Sequence, residues 1–88
     1  MKIKSGYVIR QVMGNYVVIA TGEESRGFHG MVKLNETAAN IWSYISEGKS
    51  EEDIVSLMIA EYDVEEQQLR SDVQKTIKTL IQQGFVEL

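Results

Sequence analysis

A strand-like run stops at Asn35, and a helical pattern begins in the very next residue. The stretch is Gly30–Trp42, GMVKLNETAANIW. Met31–Leu34 reads as a short strand. Beyond it, Ala38, Ile41, Trp42 and Ile45 recur at i, i+3, i+4 and i+7, which is one face of an α-helix. Asn35 suits the N-cap, because its side-chain oxygen can accept a bond from a free amide of the first turn. Glu36 sits where the helix dipole favours an anion. The residues before this junction read as sheet and those after it as helix. The expected class is therefore α+β, a small sheet followed by a helical layer.

In the sheet half, Tyr7–Met13 and Tyr16–Thr21 are rich in Val, Ile and Tyr, as strands are. Gly14-Asn15 between them suggests a two-residue hairpin of type II′, with Gly14 first. That turn would set Met13 opposite Tyr16 and Arg10 opposite Ile19. Alternation along both runs is imperfect, so the pattern does not say which face is buried. Gly22–Gly30, GEESRGFHG, reads as a loop. The short run after it, Met31–Leu34, is then expected at a sheet edge, where outer N–H and C=O groups lack partners.

In the helical half, the first helix should run from Glu36 to about Glu47 and stop at Gly48. Ser50 opens the second, with Asp53 three residues on as a short-armed capping box. Ile54, Leu57 and Met58, with Tyr62, form its expected inner face. The third helix should reach from about Glu65 to Gln83, with Leu69, Val73, Ile77 and Leu80 in one stripe. Gly84 ends it, and Phe85–Leu88 is an apolar tail expected to return to the core or join the sheet. The order is three strands in a small antiparallel sheet and then three helices, a winged-helix-like arrangement.

Eighty-eight residues are expected to form one domain over 1–88, with a modest core and little room for a deep active site. The absence of cysteine removes disulfides, thiolate metal sites and thiol nucleophiles. His29 is the single histidine, so no metal cluster is expected, and no cofactor. Glu51, Glu52 and Asp53 crowd one helix turn and are explained as dipole and cap residues rather than an acid–base pair. No nucleophile–base set and no Gly-rich phosphate loop is present, so catalysis is not expected. No run reaches a membrane span and no signal segment opens the chain, so the expected setting is cytoplasmic.

Net charge is -4. Residues 1–34 balance at +3, whereas residues 50–66 carry seven carboxylates and no cation. A winged-helix DNA-binding regulator is the alternative that shares this fold. Its recognition helix would be Glu65–Gln83, where Arg70, Lys75 and Lys78 only balance Glu65, Glu66 and Asp72. Phosphate contacts dominate DNA affinity, so this is a poor reader and no nucleic-acid partner is expected.

Taken in order, LNETAANIW at Leu34–Trp42, Gly48-Lys49-Ser50, Tyr62-Asp63-Val64, Asp72-Val73, Leu80 and Gly84-Phe85-Val86 resemble the PqqD-like proteins. These are also called RiPP recognition elements or peptide-modification chaperones. Tyr16-Val17-Val18 and Gly30-Met31 match as well, so the resemblance spans nearly the whole chain. It implies a small, non-catalytic domain that binds the leader segment of a ribosomally made precursor peptide. The leader would add as a strand to the edge of the third strand, in a groove shared with the third helix. The domain would then present the peptide to a modifying enzyme, often a radical SAM protein. The chain departs from the family at Thr76, near where members often carry an aromatic residue.

The candidate peptide-binding edge is thus Gly30, Met31, Val32, Lys33 and Leu34. Four or five backbone bonds, at about 0.5–1.5 kcal/mol net each, fall short of the roughly 8 kcal/mol of micromolar binding. Side-chain pockets must supply the rest. Leu69, Val73 and Ile77 are the candidate apolar floor, although the same stripe reads first as core, Leu69 excepted, which reads equally as either. Arg70 and Gln74 are the candidate rim. Lys33 and Arg70 could each pair with an acidic leader residue. A homodimer formed by exchange of the N-terminal hairpin is compatible with the long 22–30 loop.

Overall fold

The computed structural model describes residues 1–22 and 32–88. Among these residues eight elements succeed one another in chain order: β1 (Lys2–Ile3), β2 (Tyr7–Val12), β3 (Asn15–Ala20), β4 (Val32–Leu34), α1 (Glu36–Ser46), α2 (Glu51–Glu61), α3 (Glu66–Gln82) and β5 (Val86–Glu87). β2, β3 and β4 form the expected antiparallel sheet in that order, and three helices come after it. Of the two short elements, β1 is not announced by the sequence, whereas the tail returns to the core as expected. β1 and β5 pair with each other, Lys2 opposite Glu87 and Ile3 opposite Val86.

The hairpin turns one residue earlier than Gly14-Asn15 would place it. Val12 faces Asn15, so Met13 and Gly14 are the central pair. Both have positive φ, 51° and 83°. That is the signature of a type I′ turn, whose twist matches the flanking strands. Arg10 therefore faces Val17 rather than Ile19. A slip of this size keeps the same residues of the two strands on a shared face, because strand sidedness repeats every two residues.

The register also explains the imperfect alternation. Tyr7, Ile9, Val32 and Leu34 pack on the core together with buried Val18. Val8, Val17 and Ile19 point to the opposite face, across from each other or from Arg10 and Lys33. Apolar residues thus occupy both faces of β3.

The helices begin and end as local chemistry dictates. The Asn35 side chain accepts the Ala38 amide at 2.7 Å. Ser50 and Asp53 exchange reciprocal bonds, Asp53 N–H to Ser50 Oγ and Ser50 N–H to Asp53 Oδ2, both at 3.1 Å. α1 and α3 each end in a Schellman motif. Gly48 (φ 86°) donates to Ile45 O, and Lys49 donates to Tyr44 O. Gly84 (φ 85°) donates to Ile81 O, and Phe85 donates to Leu80 O.

That second motif turns the tail back under the sheet. Phe85 is buried, with its ring 5.0 Å from Tyr7 and 5.8 Å from Trp42. Its carbonyl accepts from Lys4 N–H at 2.8 Å. The core is built from Val18, Ile41, Trp42, Ile45, Ile54, Val55, Met58, Leu69, Val73, Ile77, Leu80, Phe85 and Val86. On α2 the buried residue beside Ile54 and Met58 is Val55; Leu57 is turned outward. Tyr62 caps α2 and its hydroxyl accepts from Asn40 Nδ2 at 2.7 Å, tying the end of α2 to α1.

Candidate functional site

Two edges of the three-stranded sheet, β2 and β4, have a neighbour on one side only among the described residues. An antiparallel strand directs alternate residues' N–H and C=O groups to opposite sides, so each edge presents unpaired groups. The edges differ in what lies beside them. β4 runs along α3, and between them is a groove of about 280 Å³. Val32, Lys33 and Leu34 form one wall, and Lys75, Thr76, Thr79 and Gln83 form the other, with Asn35, Ala38 and Leu80 between. The tail, which could have filled this edge, pairs with β1 instead.

α3 sorts its residues into three stripes. Leu69, Val73, Ile77 and Leu80 are buried in the core. Arg70 and Gln74 face α2: Arg70 pairs with Glu52 and with Glu66, and Gln74 Nε2 donates to Glu51 Oε2 at 3.2 Å. The stripe beside β4 is Lys75, Thr76, Thr79 and Gln83. The third-helix residues expected from sequence are therefore not the ones the fold brings to β4. Leu69, Val73 and Ile77 support the helix from behind, and Arg70 and Gln74 are spent on α2. Sequence reasoning misses the groove-facing stripe because Thr, Gln and Lys look like an ordinary solvated face. The one sequence signal pointing there is Thr76, the departure from the resembled pattern.

Of the expected strand residues, Val32, Lys33 and Leu34 lie along the groove. Gly30 and Met31 fall outside the described residues, as does His29. Val32 and Leu34 are half-buried against the core, and Lys33 between them is exposed.

Electrostatics elsewhere is structural. Hydrogen bonds from the Ser50 backbone and side chain hold the Asp53 carboxyl below its usual range. The Tyr44 phenol, donating to Glu61 Oε1 at 2.8 Å, is pushed up by that bond and then by burial. Glu52 beside Arg70 raises the guanidinium further above neutrality. No group of three or more potential metal ligands occurs among the described residues. No described helix is long and apolar enough to cross a membrane.

Known proteins share this fold. Residues 16–86 match the family described as coenzyme PQQ synthesis protein D (PqqD). No curated protein matches the sequence significantly. Among solved structures, TbiB1 in complex with the TbiA(beta) leader peptide superposes with a TM-score of 0.81 at 25% identity, covering 99% of this chain and 95% of that one. Lasso peptide synthetase B1 complexed with the leader peptide superposes with a TM-score of 0.82 at 22% identity, covering 99% and 96%. The second likeness speaks to the fold alone.

Proposed function

This chain belongs to the PqqD family, and from that premise we propose that it is a non-catalytic accessory protein that binds the leader segment of a ribosomally made precursor peptide. The leader adds as a strand to the outer edge of β4 and lies in the groove against α3. Residues 1–88 act as one peptide-binding domain in the cytoplasm, handing the bound peptide to a modifying enzyme, a radical SAM protein in the reading that the family resemblance favours. The observation that carries this is the unpaired β4 edge walled by α3. The leader-peptide complex of TbiB1 supports it by likeness over nearly the full length of both chains.

Strand addition supplies affinity through backbone bonds and specificity through alternate side-chain pockets. Lys33 turns its N–H and C=O outward between Val32 and Leu34, whose own groups pair with β3, and Gly30 and Met31 are the proposed continuation of that edge. The pocket side is Ala38, Lys75, Thr76, Thr79, Leu80 and Gln83. Guest residues opposite Val32 and Leu34 share their face and point to the helix wall. A bulky apolar guest residue can settle over Leu34, Ala38 and Leu80, where the small Thr76 and Thr79 leave room.

The test is titration of the isotope-labelled protein with the precursor peptide encoded beside its gene. Backbone amide shifts are expected at residues 32–34, across the ladder at 16–18, and along 75–83. Shifts confined to α2 or to β1 and β5, or none with any such peptide, overturn the reading. DNA binding is not favoured. The helix that would enter a groove spends Arg70 on Glu52 and Glu66, which leaves two lysines for phosphates along Glu66–Gln82.

A further inference from the structure

Resting on that reading, we infer that the β4–α3 groove selects guests carrying a carboxylate in the stretch that pairs with residues 32–34. Several of the protein's cations are already engaged. Lys2 pairs with Glu87 at 3.4 Å, and Arg70 with Glu52 and Glu66. Lys33 and Lys75 make no ion pair among the described residues, and both border the groove, Lys75 from the helix wall and Lys33 from the strand, with the Lys33 side chain on the exposed face of the sheet. Among the described residues, no Asp or Glu lines it with them. In a chain of net charge -4, this is a local reversal of sign. The nearest acid along the helix is Asp72, which borders the adjoining hollow with Lys75 and Thr76. Its carboxylate already accepts from Gln68 Nε2 at 3.1 Å.

The two lysines read opposite faces of the guest strand. A guest residue directly opposite Lys33 shares the face of Lys33, away from the helices, with its Cβ within reach of the lysine stem. Its neighbours in the guest turn to the helix side, where Lys75 stands at the rim. Either face of the guest thus meets an ammonium with no ion pair of its own. The contacts are solvent-exposed, so each carboxylate is expected to tighten binding only about twofold to fivefold at low salt. This gain should fade as added salt shortens the screening length. Specificity of this size ranks guests without excluding neutral ones.

The probe is a random twelve-residue peptide library panned against the folded chain, with recovered peptides mapped by their amide shifts. Binders that move the amides of residues 32–34 are expected to be enriched in Asp and Glu. The enrichment should disappear against Lys33→Gln/Lys75→Gln. It should invert toward Lys and Arg against Lys33→Glu/Lys75→Glu. All four substitutions are at exposed positions, and unchanged circular dichroism checks the fold. Binders that move these amides without acidic enrichment overturn this inference and leave strand addition standing. If no binder moves them, both fall. Enrichment that survives both double substitutions also overturns the inference, because the selectivity then lies elsewhere.

Discussion

The two edges of the small sheet make an instructive pair. β2 offers six residues and β4 three, so by ladder length alone a guest would choose β2. Yet the outer half of β2, Arg10–Val12, is exposed and has no helix alongside, whereas β4 is backed by α3 and its groove. Backbone bonds exchange water for a guest at little net gain. An edge becomes a site when a neighbouring wall adds side-chain contacts. The protein provides that wall at one edge only among the described residues, and its own apolar tail pairs with β1 rather than with either edge.

The largest effect should come from undermining the wall from behind. Leu80→Ala removes a fully buried side chain beneath the groove and is expected to cost about 2–5 kcal/mol. Denaturant unfolding measures that cost, and guest affinity should fall with it. Next, Thr76→Trp fills the groove from the helix side. Guest binding should weaken about tenfold or more, roughly 1.4 kcal/mol, with a near-normal melting temperature. Gln11→Pro on β2, where the N–H faces away from β3, should leave the guest dissociation constant unchanged; a loss there as large as at Thr76 would break the distinction between the edges.

Away from either edge, Ser50→Ala removes the α2 cap and should cost about 1 kcal/mol of stability without altering guest affinity. The same cap carries a pH signature. The Asp53 carboxyl is held low in the folded state, so its contribution is present above the unfolded-state pKa and is lost as pH falls through the folded value. Acid titration of Ser50→Ala should accordingly show a smaller drop in stability than the parent. Smallest, Met13→Asn places a residue tolerant of positive φ in the turn and should add about 0.5–1 kcal/mol, with no change at β4.

How far the sequence can be read depends on the range of the interactions. Asn35, Ser50, Asp53, Gly48 and Gly84 act within a few residues, and their motifs announce α1, α2 and α3 to within a residue or so. The core stripe of α3 is legible because burial imprints apolar residues at helical spacing. The groove stripe one step round the helix is not, since Lys75, Thr76, Thr79 and Gln83 carry no periodic apolar mark. β1 escapes notice because it is two residues long and finds its partner at the other end of the chain. The hairpin is expected one residue late because Gly14 can serve as first or second central residue. Only the φ of Met13 decides between the two.

Amide hydrogen exchange with and without the leader peptide tests the central claim most directly. The account predicts a gain of protection at Lys33, the described β4 residue whose N–H faces away from β3, when the peptide is bound, with β1, β5 and the outer side of β2 unchanged. Protection gained along β2 while the amides of β4 exchange as before would contradict it.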